Sequence, residues 1–130
     1  MREITKIISI PVDGKSMDFR LTKLDAFSGA SLLRMLSNMP QVSSGDSVMG
    51  FITHLSESDL RSLMVTCLQH CEVLLPAGWM PVMTRGEWTY PELEHDTAVC
   101  LKLTIEEVRW ALESFFGEGI SASWPEIPGS

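Results

Sequence analysis

The sequence predicts an α+β fold, in which an N-terminal β-hairpin packs on a small bundle of four to five helices and a second short hairpin lies near residues 80–90. Two observations predict it. Asp13-Gly14 is a strong two-residue hairpin signal with strand-like residues on both sides. Farther along the chain, apolar residues recur at helical spacing between residues 60 and 71.

The first hairpin is predicted from its residue types. The first strand is rich in β-branched residues, and the second alternates between apolar and polar positions, with Met17, Phe19 and Leu21 on one face. One face of the hairpin is therefore expected to pack against the core and the other to be exposed to solvent. Because a two-stranded hairpin is marginal alone, it needs an apolar surface to lie on.

Three helices are predicted next. Asp25 is a candidate cap for a helix with apolar residues at near-helical spacing, namely Phe27, Leu32, Leu33 and Leu36. A polar loop at residues 41–46 separates it from a short helix at residues 48–55. Ser56 and the polar residues after it are start signals for a third helix. The apolar stripe of that helix is Leu60, Leu63, Met64, Cys67, Leu68 and Cys71.

Residues 73–91 are predicted to be irregular and to hold the second hairpin. Short apolar runs at residues 73–75 and 81–83 are separated by Pro76-Ala77-Gly78, and Arg85-Gly86 is a plausible turn between short strands. Pro91 then ends the last strand.

Two further helices and a tail are predicted at the C-terminal end. The first helix covers residues 92–101. A capping box, in which Thr104 and Glu107 satisfy free amides, predicts a second helix start, and Gly117 is a fitting C-cap. We therefore expect one α+β domain at residues 1–117, followed by an extended or flexible tail at residues 118–130.

Length and charge exclude several classes of protein. The chain has 130 residues, which suits one domain. It carries 10 Lys and Arg against 17 Asp and Glu, for a net charge of -7. An acidic domain of this size argues against a nucleic-acid partner and against docking on an anionic membrane. The sequence contains no run of the roughly 20 apolar residues that a membrane span needs. We expect a cytoplasmic protein.

The cysteines and histidines are the candidates for chemistry. Cys67, His70 and Cys71 could form a metal corner, and a Cys–His nucleophile pair is a second option. The favoured interpretation is reduced, buried thiols, because there is no C-x-x-C pair and no thiol is predicted at a helix N-terminus. We therefore expect no metal site, no cofactor and no catalytic residues.

Methionine and tryptophan point to a protein-binding role. The chain has eight Met and four Trp. Most are expected to be core or partly buried, and the alternative is a deformable apolar groove, since thioethers adapt to varied partners.

The candidate partner-binding residues are four aromatic side chains near the C-terminus: Trp110, Phe115, Phe116 and Trp124. Phe115 and Phe116 continue an apolar stripe from Val108, which is expected to be mainly core. Trp110 lies at the flank of that stripe or beyond it. Nothing local directs Trp124 inward, although a tail folded back on the domain is an equal alternative.

The order of elements resembles the small tail assembly chaperones of tailed bacteriophages and prophages. The resemblance rests on the residues FRLTKLDAF at 19–27 followed by Leu32-Leu33, on WTYPELEHD at 88–96, and on EEVRWALESFF at 106–116. It implies an acidic cytoplasmic protein that binds the long tape-measure protein, or another phage tail protein, and keeps it soluble. It implies no catalytic residues. A homo-oligomer is possible.

A second function is kept open. An acidic adaptor or inhibitor protein would use the charge itself to occupy a basic site on a partner protein. A complex of that kind weakens steeply with salt, because screening shortens the reach of the field.

Overall fold

The computed structural model describes residues 4–37 and 47–117, and within these ranges the side chains of all residues except 36, 37, 47–49, 51 and 114–117. It confirms the α+β class. The elements, in chain order, are β1 (Thr5–Val12), β2 (Lys15–Thr22), α1 (Ala26–Ser37), α2 (Ser47–His54), α3 (Glu57–Gln69), β3 (Cys71–Leu75), β4 (Gly78–Pro81), β5 (Met83–Thr84), β6 (Glu87–Trp88), a 3-10 helix (Pro91–Leu93) and α4 (Thr97–Gly117).

The predicted N-terminal hairpin is confirmed. β1 and β2 pair along their full length, from Thr5 opposite Thr22 to Val12 opposite Lys15. Asp13 and Gly14, which form the turn, have φ angles of 52° and 80°. This is the left-handed pair that a type I′ turn requires, and its twist matches that of the two strands.

The hairpin is half of a larger sheet than the sequence predicted. β2 also pairs with β3, which places Phe19 opposite Val73, and β3 pairs with β4. The result is a four-stranded antiparallel sheet in the order β1-β2-β3-β4. The backbone N–H of Thr22 donates to the carbonyl of His70 at 2.8 Å, just beyond the end of α3. Cys71, predicted to lie on the stripe of α3, instead begins β3.

The second hairpin is confirmed near the predicted residues. β5 and β6 pair around Arg85 and Gly86, whose φ angles are 54° and 78°. The Gln69 side chain, at the end of α3, accepts the backbone N–H of Gly86 at 2.6 Å. This hydrogen bond fixes the turn against the helix.

The prediction of two C-terminal helices is wrong. Residues 92–101 and the segment after Thr104 do not form separate helices, since α4 runs without a break from residue 97 to 117. Thr104 is buried inside α4, and its hydroxyl donates to the carbonyl of Cys100 at 2.8 Å. The first turn is capped by Asp96, whose carboxylate accepts the N–H of Val99 at 3.2 Å. The capping-box pattern therefore occurs in the middle of a helix.

The core has two parts, and α3 and α4 contribute to both. On the sheet side, Leu68 of α3 and Leu103 of α4 pack with Phe19, Leu21 and Val73 of the sheet. On the other side, residues of the same two helices pack with α1 and α2, in a cluster of Leu32, Ile52, Leu63, Cys67, Val108, Ala111 and Leu112. The pair α3–α4 therefore lies between the sheet and the first two helices.

We expect Phe19→Ala to lower the free energy of unfolding by about 3–5 kcal/mol, the usual cost of removing a buried phenylalanine. Phe19 is fully buried on a central strand. Phe27→Ala is the matched control, because Phe27 is 86% exposed, and its effect should stay within about 0.5 kcal/mol. Urea unfolding measures both. Equal losses in the two variants would contradict this core.

Candidate functional site

A groove lies between α1 and the junction of α2 with α3. Its volume is about 410 Å³. The residues that line it are Ser31, Arg34 and Met35 from α1, with His54, Leu55, Ser56 and Asp59 from the junction. Met35 and Leu55 are half-buried and pack on the helical part of the core. The groove therefore has apolar side chains between polar and charged ones.

Phe27 continues this surface along α1. It is 86% exposed, the highest value among the large apolar side chains of the described residues. Since residues four and seven or eight apart share a helix face, Phe27 lies on the same side of α1 as Ser31, Arg34 and Met35. Phe27 is therefore an exposed aromatic side chain on the helix that lines a mixed polar and apolar groove, and aromatic side chains are enriched at protein–protein interfaces.

The position of α1 is set by hydrogen bonds at its N-terminus. Asp25 caps the helix: its carboxylate accepts the Ser28 hydroxyl at 2.6 Å and the Ser28 backbone N–H at 3.3 Å. The hydrogen bond from the Ser28 hydroxyl lowers the pKa of Asp25. The prediction that Asp25 caps this helix is thus confirmed.

His70 connects the α1 cap to the end of α3. Its Nε2 lies 3.3 Å from the Asp25 carboxylate, and its Nδ1 lies 2.7 Å from the carbonyl oxygen of Thr66. Both ring nitrogens thus face acceptors. The contact between His70 and Asp25 therefore fixes the start of α1 to α3, which also borders the groove.

The other wall of the groove depends on the start of α3. Ser56 has an extended backbone, and its hydroxyl accepts the backbone N–H of Asp59 at 3.2 Å. The His54 ring bonds to the carbonyl of Gly50 at 2.7 Å, one turn back in α2. These two contacts hold both sides of the α2–α3 junction.

The outward face of the sheet is a second exposed surface. Ile7 is 59% exposed and Leu74 is 42% exposed. The guanidinium of Arg20 lies 4.6 Å from the centre of the Trp79 ring and bonds to Glu72 at 2.7 Å. Because Arg20 is held by both neighbours, this face offers scattered apolar groups around a charge pair rather than a groove.

The aromatic residues predicted to bind a partner are only partly within the described side chains. Trp110 is half-buried and packs on the sheet side of the core, and the Lys6 ammonium lies 5.2 Å from the centre of its ring. The side chains of Phe115 and Phe116 lie outside the described residues, although their backbone belongs to α4. Trp124 and the predicted tail at residues 118–130 also lie outside them. A role of these four residues in binding remains a prediction.

The groove was not predicted from the sequence. Phe27 was grouped with the apolar stripe of α1, in which Leu32 is the buried member among the described side chains. The signal for its exposure is its spacing, because the positions three and four residues before Leu32 are Gly29 and Ser28, not Phe27.

The cysteines are buried and free, as expected. Burial raises the pKa of Cys67 and Cys71 well above the usual value and that of Cys100 to about 11. These surroundings favour the neutral thiol, whereas a nucleophile or a metal ligand needs the thiolate. Among the residues that the structure describes, no group of three or more His, Cys, Asp or Glu side chains is placed to hold a metal ion.

Comparison with known proteins identified no relative of this chain. No family model, curated protein or solved structure matches the chain. Within the described ranges, none of the helices has the length and apolar character needed to cross a membrane.

We expect Ser56→Ala to destabilise the protein by about 1 kcal/mol, because the mutation leaves the Asp59 N–H without its cap. Ser62→Ala is the matched control, since Ser62 is exposed inside the same helix. Urea unfolding compares the two, and equal stabilities would show that the cap contributes nothing.

Proposed function

We propose that this protein is a non-catalytic phage tail assembly chaperone that binds the tape-measure protein in the α1 groove and keeps it soluble during assembly in the host cytoplasm. The observation that carries the proposal is the exposure of Phe27 on the helix face that leads into the groove. The resemblance of three sequence segments to that family supplies the identity of the client.

The groove suits an amphipathic helix of the client. Such a helix presents apolar anchors at positions i, i+3 or i+4, and i+7, and these fit a groove bordered by helices. Phe27 offers a rigid aromatic contact, and Met35 offers a flexible one that adapts to different side chains. A chaperone for a long client must cover similar but not identical segments, which favours adaptable contacts.

Each of the three resemblance segments contributes residues to the core. Tyr90 and Leu93 of the WTYPELEHD segment are buried in the sheet-side core. Val108 and Ala111 of the EEVRWALESFF segment are buried in the helical core. This is consistent with a family defined by its fold and not by catalytic residues.

The charge of the chain supports a solubilising role. A net charge of -7 on 130 residues disperses any complex of which the chain is part. The binding surface itself is mixed, since the groove contains Arg34 and His54 as well as Asp59. Charge therefore acts on the solubility of the complex, while apolar contacts supply the affinity.

An acidic adaptor that occupies a basic site is the second candidate. Exposed carboxylates at the start of α3, on Glu57 and Asp59, are the observation that favours it. Salt separates the two functions, because a charge-driven complex weakens steeply between low and high salt and an apolar one changes little.

The test is co-expression with the tape-measure protein that the proposal expects in the same genome. We expect the wild-type chain to keep that protein soluble and to co-purify with it. Phe27→Ser should reduce the recovered complex about tenfold or more, since loss of an anchor residue commonly costs 2 kcal/mol or more. Its own stability should be unchanged, because Phe27 is outside the core.

Ile7→Ser is the matched control, as it removes an exposed apolar side chain from the sheet face. If the tape-measure protein stays insoluble with the wild-type chain, the proposed function is wrong. If the wild type succeeds and Phe27→Ser succeeds equally, the function stands and the groove is not its site.

A further inference from the structure

Among the residues that the structure describes, one carboxyl group lies in the interior. Glu107, in the middle of α4, is 0% exposed, as are Leu103 and Val108 on the same helix. Neither of its two carboxyl oxygens has a hydrogen-bond partner among the residues that the structure describes. Buried polar groups nearly always have partners, so an exception of this kind calls for an explanation.

Among the described residues, the titratable groups that face Glu107 come from three other elements. They are Cys67 of α3, Cys71 of β3 and Lys6 of β1, each of which interacts electrostatically with the carboxyl. The two thiols are neutral, because burial raises their pKa. Lys6 attracts the carboxylate, but its ammonium also lies over the Trp110 ring. A negative charge on Glu107 would therefore be only weakly compensated.

The neighbouring residue shows the contrast. Glu106 points to the outer side of α4, where Lys102 lies at 3.3 Å and Arg109 at 3.2 Å from its carboxylate. The helix thus carries one carboxylate with two cationic partners and, one position later, one carboxyl with none at hydrogen-bond distance among the described side chains. The ionised form suits Glu106, whereas the neutral form suits Glu107.

We propose that Glu107 is a proton-operated latch: the neutral carboxyl favours the packing of α4 against α3 and the sheet, and its ionisation weakens that contact in favour of an open form. Opening gives the carboxylate access to water and exposes the apolar residues by which α4 joins the two halves of the core. The closed form therefore holds one proton that the open form releases at neutral pH.

The direction of the pH effect follows from the two states. Burial raises the pKa of Glu107 from its ordinary value of 4.5 to about 8 in the closed form, against the opposing effect of Lys6. The stability that the protonated carboxyl allows is fully present below pH 4.5 and is lost as the pH rises to about 8. Above that value both forms are ionised, and the dependence ends.

The test compares the wild type with Glu107→Gln, which keeps the shape and removes the ionisation. In the wild type, the contribution of Glu107 should lower the folding equilibrium constant about tenfold per pH unit between pH 5 and 8. That contribution is absent in Glu107→Gln, while Glu106→Gln, the matched control, keeps it. Urea unfolding across this pH range measures the difference in slope.

Hydrogen exchange on the wild-type chain separates a latch from a general loss of stability. After correction for the intrinsic pH effect, we expect amides of α4 to lose protection at pH 8 before amides of β2 do. Equal loss in both elements would overturn the latch, since the whole protein would then unfold together.

A carbon-13 titration of the glutamate side chains in the wild type keeps the proposal testable if Glu107→Gln fails to fold. One carboxyl should titrate well above the others. The latch is wrong if all of them titrate in the ordinary range, or if Glu107→Gln and the wild type share the same slope.

Discussion

The pairing of β2 with β3 is the contact on which the rest of the structure depends. It places Phe19 opposite Val73 and joins the N-terminal hairpin to a segment that follows three helices. Because β3 follows α3 closely, the pairing also brings α3 against the inner face of the sheet, where Leu68 is buried. α4 then packs beside α3 in one layer of helices, and α1 and α2 cover the side of that layer that faces away from the sheet.

The sequence predicted the elements whose signals are local. Asp13-Gly14 specifies its own turn, and Ser56 caps α3 through an amide three residues away. The wrong predictions of secondary structure fall where contacts between residues distant in the sequence determine the conformation. Thr104 matches a capping box, but α4 is stabilised by packing on both sides, so its hydroxyl bonds within a continuous helix. Cys71 fits a helical stripe, yet its place opposite Leu21 makes it a strand residue.

The candidate site was harder to predict than the fold. Apolar composition indicated a binding surface but could not distinguish core side chains from exposed ones. Phe27 and Leu32 are both apolar residues of α1, and only the packing of the helix leaves the first exposed and buries the second. Trp110 was singled out because it lies off the stripe of α4, but the sheet covers much of that flank. The exposure of a side chain depends on which elements pack beside it, which one helix cannot reveal.

The hydrogen bond between Thr22 and His70 also has a topological consequence. The Thr22 nitrogen and the His70 carbonyl oxygen are 2.8 Å apart, so the chain between these residues, which forms the first three helices, leaves the sheet and returns to the same point. The entropy of closing such an excursion grows only with the logarithm of its length, at about 0.6 kcal/mol for each doubling. Chain-closure entropy therefore opposes a change in the length of this segment only weakly, although α3 must keep its packing on the sheet. The α1 wall of the groove can therefore diverge in evolution while the pairing of β2 with β3 stays the same.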